Sequence, residues 1–324
     1  VAWLVLPLAA SAEDVVRLAT AEVSRSVRGE ILDYTGETIT IAGSTGQPRR
    51  YPAASVMEIQ SAWNEAHQAG RDALASHDYS TAARHLADAN RAEPRVWVRR
   101  LILTDLMRCH AAIGQVEQAG DLLLAIVASD PTTPAIATAP LAWFPTTAVS
   151  QAKAEAWLAG GDQPAAVLLG ASHLQSTSSA ALARAALAKL LNHSDARLVA
   201  LAEAQMWRAE VVRATPADAA RWARRVEQMP ESVRAGPYFV LAQAFARLGL
   251  ADEAALAYLR VPVLFADRRE LAARSLVAAA RLTRRAGHQD ETTLLAAEVV
   301  TRFSDTRLAA EAQDLLQEAQ RTGP

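Results

Sequence analysis

The sequence predicts a mainly α chain, an α-solenoid of antiparallel helix pairs preceded by a small all-β module, and three observations carry that prediction. The apolar period changes from two to about 3.6 after Ser61 and does not change back. Gly and Pro then recur at Gly70, Pro94, Gly114, Pro131, Gly161, Pro216, Pro230, Gly249 and Gly287, cutting the text into helix-length pieces. Ala supplies about a fifth of the chain while aromatics are only 5%, which suits closely packed helices better than sheet.

Taken in order, residues 1–12, VAWLVLPLAASA, are an apolar run closing on Ala10-Ser11-Ala12 before Glu13-Asp14 switch the chain to charge. This is the pattern of the tail of a secretory signal peptide, too short to span a bilayer, with no Cys after it to take a lipid. A buried N-terminal strand is the alternative. The missing charged n-region and the initial Val fit either a trimmed start or an alternative start codon read literally. Residues 13–60 form the expected β module. Val15–Leu18, Val27–Tyr34, Thr38–Ile41, Arg50-Tyr51 and Val56–Ile59 are short β-branched runs, with Thr35-Gly36 and Gly43–Gly46 placed to supply the positive φ of hairpin turns. The spacing resembles the SH3-like or Sm-like module at the front of some bacterial secreted repeat proteins; a meander packed on the first helix is the alternative.

Residues 61–320 read as about seven helix pairs, with 321–324 a tail. The clearest unit runs from Trp63 to Pro94, where Gly70, Tyr79, Ala82, Ala89 and Pro94 fall at the offsets of a tetratricopeptide repeat. Small residues are needed where two helices cross, and Pro94 stops the second helix. Phe239–Val261 repeats the order with Ala242, Phe245, Gly249, Ala254 and Tyr258. Gly114, Ala119 and Pro131 mark a third unit; Ala280, Gly287 and Phe303 mark a fourth, with Thr292 in the small position; Gly161 and Ala166 give a degenerate copy. The text from Ala180 to Pro230 is helical but off the grid. Ser80, Thr215 and Ser194 read as helix caps, and Asp252-Glu253 and Asp290-Glu291 as first-turn acids rather than catalytic carboxylates.

The chain resembles tetratricopeptide-repeat proteins of bacterial secreted type over most of 61–320. The resemblance implies a right-handed superhelix whose concave wall, lined by the first helix of each pair, receives a partner segment. On that grid the wall carries His67, Gln68, Arg71, Thr104, Asp105, Arg108, Gln151, Glu155, Gln243, Arg274, Arg281 and Arg284. Peptide-carboxylate clamps of related arrays use Lys and Asn where His67 and Arg71 stand, so that specificity does not carry over. The basic end at Arg274, Arg281 and Arg284 points to a protein partner with an acidic or C-terminal segment.

Other chemistry is thinly represented. Lys+Arg 33 against Asp+Glu 35 leaves a net charge of −2, with a mean hydropathy of +0.04, which argues against nonspecific nucleic-acid binding and multiple membrane spans. Basic charge is almost wholly Arg, with Lys only at Lys153 and Lys189, and the Ala and Arg excess reads as coding bias. The pairs Arg99-Arg100, Arg224-Arg225, Arg268-Arg269 and Arg284-Arg285 read as solvated faces, even with Trp97 and Trp222 near two of them. No phosphate loop, dinucleotide fingerprint, nucleophile elbow or paired Cys occurs, so no cofactor and no metal site is expected. His67, His77 and His85 fall on different faces, and Cys109 reads as a buried inert thiol. Asp130–Pro145 is a Pro-rich stretch too apolar for a linker: Leu141, Trp143 and Phe144 either fold back over the helices or form an aromatic loop that docks a partner.

The expected function is a non-catalytic protein–protein interaction scaffold, exported to the periplasm or cell envelope. The alternatives are an accessory subunit of an envelope enzyme or assembly machine, or an enzyme, such as a glycan lyase or hydrolase, on an α-solenoid core.

Overall fold

A computed structural model describes residues 13–19, 24–43 and 46–322. The expected signal segment lies outside the described residues. Two compact units are formed, one from Val1–Cys109 with Ala125–Pro134 and the other from His110–Leu124 with Ala135–Pro324.

The first unit opens with five antiparallel strands on the five β-branched runs: β1 (Asp14–Leu18), β2 (Arg25–Tyr34), β3 (Thr38–Ala42), β4 (Pro48–Pro52) and β5 (Val56–Gln60), in the order β4-β3-β2-β1-β5. The ten-residue β2 pairs with β1 up to Gly29 and with β3 from Glu30 onward, so one strand serves two partners. Alternation sends Val16, Leu18, Ile31, Ile39 and Ile41 inward, where all are buried. Buried Asp14 is satisfied by accepting the Ile31 N–H at 2.9 Å. Gly36 differs from expectation: it has no positive φ, and its smallness serves close approach, since a Cβ there would collide with the Thr132 backbone while its N–H donates to Asp130 Oδ2 at 2.8 Å. Arg100, itself buried, pairs with Asp33 and donates to Ser129 O.

After the sheet the described residues contain fourteen helices: α1 (Glu65–Ala75), α2 (Tyr79–Ala92), α3 (Val96–Ala112), α4 (Val116–Ser129), α5 (Gln151–Ala159), α6 (Pro164–Leu174), α7 (Ala180–Leu190), α8 (Ala196–Glu210), α9 (Pro216–Val226), α10 (Ala235–Arg247), α11 (Ala251–Leu264), α12 (Arg269–Arg285), α13 (Gln289–Arg302) and α14 (Leu308–Thr322). Four connections share one three-residue turn. Its middle residue is left-handed at His77, Gly114, Gly249 and Gly287, with φ of 60°, 82°, 77° and 84°. The next N–H reaches back five residues, from Asp78 to Ala73 O, Gln115 to His110 O, Leu250 to Phe245 O and His288 to Thr283 O, at 2.8 to 3.0 Å. This Schellman closure satisfies the last carbonyls of one helix and turns the chain straight into the next.

Helix starts follow capping chemistry, with two corrections. Asp78, not Ser80, caps α2 by accepting the Thr81 N–H, which leaves Ser80 inside the helix. Asp195, not Ser194, caps α8 through the Arg197 N–H. In each case the carboxylate stands on the residue just before the helix, from which a short side chain reaches the free N–H two or three residues on. Thr215 caps α9 in a complete capping box with Asp218.

Packing places small residues where the grid puts them. Ala82, Ala119, Ala166 and Ala254 are buried, and so is Thr292, whose hydroxyl donates to His288 O at 2.8 Å and lies 2.9 Å from Thr283 Oγ1. That hydroxyl is satisfied within its own helix pair, which is why a Thr is tolerated there. In α1 a Cβ on Gly70 would lie 2.7 Å from Leu86 Cγ, so only glycine lets α1 and α2 close. Within the second unit the principal helix contacts join neighbours or next-but-one helices, from α5·α6 through α13·α14. The fold is therefore a β sheet followed by a helical repeat of antiparallel pairs.

Candidate functional site

The predicted wall residues of the first unit form a cluster on α1 and α3. His67 is only 1% exposed, packed edge-on against Trp63 at 5.2 Å, and burial lowers its pKa, so its ring is not available to a partner as the sequence suggested. Gln68 and Arg71 are exposed; Gln68 donates to Asp72 and Arg71 lies over the Trp63 ring. Thr104 is turned onto its own helix, its hydroxyl donating to Arg100 O. Burial raises the Asp105 pKa, opposed by Arg108 at 3.3 Å and by Arg71. Arg71, Asp105 and Arg108 thus share one electrostatic neighbourhood. Cys109 is fully buried, its thiol pushed up to about 12 chiefly by desolvation, as an inert core residue should be.

In the second unit the predicted residues separate into three places. Gln151 and Glu155 are engaged with each other and with Ser178 and Ser179 at the start of α7, bonds that hold the Glu155 pKa low. Arg281 and Arg284 are exposed but paired with Glu311 and Glu318 of α14. The basic end is therefore locally neutralised by acids, which the sequence reading did not pair with it. Gln243, Trp143 and Phe144 come together around one cavity, and Arg274 lies over the Phe144 ring, 3.8 Å from its centroid.

The Pro-rich stretch folds back on its own unit. His173 Nε2 donates to Pro140 O at 2.9 Å, Ser172 Oγ accepts the Ala142 N–H at 2.7 Å, and Gln205 donates to Ala142 O at 3.2 Å. Ser172 and Gln205 are fully buried polar residues, and this segment satisfies them. Leu141 is 9% exposed and enters the core, so of the three loop residues only Trp143 and Phe144 stay part-exposed. Desolvation drives His173 down to about 4, keeping it a neutral donor.

The cavity beside this segment has a volume of about 620 Å³, within the ordinary range for small-molecule sites. Trp143, Phe144 and Tyr258 supply aromatic wall, Arg184, Arg208 and Arg213 supply charge, and no lining residue is acidic. Burial lowers Arg208 to about 10; its Nη2 donates to Ser172 O at 2.6 Å while its Nε is buried without a partner. Gln175 Oε1 on the same wall is likewise unpartnered. The three arginines come from α7, α8 and the turn after α8, the stretch that departs from the grid. No sequence motif marks them, since they converge only through the fold.

Similarity to known proteins enters at one place. The family model of the tetratricopeptide repeat matches residues 73–139. That interval spans α2 to α4 and the start of the Pro-rich stretch, and its repeat is a protein–protein interaction module. No curated protein matches the chain. No described helix is long and apolar enough to cross a membrane, and no described group of three His, Cys, Asp or Glu side chains could hold a metal ion.

Proposed function

We propose that the chain is a non-catalytic interaction scaffold of the bacterial periplasm or cell envelope, which binds a segment of a protein partner along the faces of its first helices. The observation that carries this reading is the recurrence of the same Schellman turn and the same buried small residue from pair to pair, which builds a repeated helix face rather than a catalytic cleft. The exposed members of that face are Gln68, Arg71, Arg108, Gln151, Arg281 and Arg284. An acidic or C-terminal segment is the favoured partner chemistry; at Arg281 and Arg284 it would have to displace Glu311 and Glu318, so binding there is expected to weaken steeply with salt.

The sheet is proposed to be an SH3-like module. Its support is the return of β5 to β1, the sharing of β2 between β1 and β3, and the 3-10 turn Ala53–Ser55 that precedes β5. Export is supported by the sequence of residues 1–12 alone.

Affinity purification from the native envelope tests the scaffold reading. A partner held by the wild-type chain should be lost with the double substitution Arg71→Glu and Arg108→Glu, or with Arg281→Glu and Arg284→Glu, and kept with Arg224→Glu on exposed α9 surface. Equal retention by all variants would contradict the assigned face.

A further inference from the structure

The geometry points to a small-molecule site in the second unit: the cavity bounded by Trp143, Phe144, Tyr258, Arg184, Arg208 and Arg213 takes an organic anion, a carboxylate or phosphate carried on an aromatic or otherwise apolar body. This goes beyond the scaffold reading and does not depend on it.

Three features of the cavity select that chemistry. Its charge is of one sign, with three guanidinium groups and no carboxylate in the wall, and no ion pair engages these three arginines among the described residues. Uncompensated cations that close favour an anion, and arginine forks suit the planar oxygens of carboxylate or phosphate. Second, two buried polar atoms lack partners. Arg208 Nε is a donor without an acceptor, and an anion oxygen would supply one; Gln175 Oε1 would accept from a hydroxyl or amide on the same ligand. Arg208 is largely desolvated and among the described residues its hydrogen bond is to a carbonyl, an expensive arrangement for a cation that serves packing alone. Third, the rest of the wall is aromatic and apolar. Trp143 and Phe144 face the space, and Val212 at the lip is 75% exposed, so the ligand's body gains apolar contact on entry. Bare inorganic phosphate would leave that surface unused, and a neutral hydrocarbon would leave the arginines without a counter-charge.

Why the fold leaves this space follows from the sequence. The stretch Ala180–Pro230 departs from the repeat grid, and Val211–Arg213 forms a 3-10 turn that ends α8 and sets Arg213 in the cavity wall. The Pro-rich segment adds two rings to the wall, with Trp143 packed against Gly236 of α10.

Titration calorimetry on the purified full chain tests the site with four probes: 2-naphthoate, 2-naphthyl phosphate, the neutral 2-methoxynaphthalene and inorganic phosphate. At least one of the two aromatic anions should bind at a single site, and whichever binds more tightly identifies the anionic group. The neutral arene and inorganic phosphate should bind at least about tenfold more weakly than that anion. Arg184→Ala and Arg213→Ala, both at exposed positions, should each weaken anion binding about tenfold without changing the melting temperature. Ala246→Trp, which fills the space from its wall, should abolish it. Absence of binding by both anions, equal binding of the neutral arene or of inorganic phosphate, or arginine variants that bind like wild type would overturn the assignment. Because no protein partner is present, failure here leaves the scaffold reading standing, and failure of the pull-down leaves this site standing.

Discussion

The pair α10/α11 and the stretch α7–α9 solve the same packing problem in different ways. In α10/α11 the crossing is made by Ala242 and Ala254, both fully buried, and closed by the left-handed Gly249. In α8 and α9 two large rings, Trp207 and Trp222, stack at 5.3 Å with an interplanar angle of 11°, while Ala200, Ala202, Ala204 and Ala219 on the same helices are fully buried. Small residues let backbones approach, and interaxial distance grows with the side chains at the contact. The cavity draws on both regions: Gln243, Ala246 and Tyr258 of α10/α11 stand in its wall, while Arg184, Arg208 and Arg213 come from the off-grid stretch, so the departure from the repeat is where its charge is gained.

The largest break in this contrast is expected at Trp222, which is 1% exposed. Trp222→Ala should cost about 3–5 kcal/mol in chemical denaturation, because it empties a buried indole-sized space and takes away the ring on which Trp207 stacks. Acid should come next. Burial holds His173 down to about 4, against an ordinary histidine near 6.5, so the folded chain keeps the ring neutral where the unfolded chain binds a proton. Stability is then complete above about pH 6.5 and falls as pH drops toward 4, by up to about 3 kcal/mol. His173→Gln, which keeps a donor for Pro140 O, should flatten that slope. Overpacking sharpens the comparison directly: Ala254→Leu should cost about 1–3 kcal/mol, whereas Ala246→Leu, on the cavity wall, should stay within about 0.5 kcal/mol of wild type. The turns give the smallest effect. Gly249→Ala should lose about 1 kcal/mol at φ 77°, and His77→Gly should gain about as much, because His77 occupies the same left-handed position with a side chain.

Legibility in the sequence followed the same division. Gly70, Ala82, Gly249 and Ala254 were readable because a repeated backbone geometry demands a residue type at a fixed interval, and the strands were readable because alternation leaves Ile39 and Ile41 no other face. Caps were less so: Ser80 and Ser194 have the right chemistry, but Asp78 and Asp195 hold the positions the donors face. Gln243 and Arg274 read as wall residues and Trp143 and Phe144 as a separate loop, and only the fold brings them to one cavity; nor does anything in the text show that Glu311 and Glu318 would neutralise Arg281 and Arg284, since those pairs cross between helices. His67 read as a wall residue by its offset and is buried, and Leu141, for which the text left a folded-back and a docking arrangement open, enters the core. Arg184, Arg208 and Arg213 carry no local signature, because only tertiary packing brings them to one cavity.

The central claim is that the helices form a repeat whose contacts run only to near neighbours. Amide hydrogen exchange on a chain ending at residue 286, which removes α13 and α14, tests it most directly. Protection across α5 to α8 should match the intact protein, with losses confined to α12 and the helices it touches. Loss of protection throughout α5 to α8 would mean that the unit folds as one closed body, and would contradict the account.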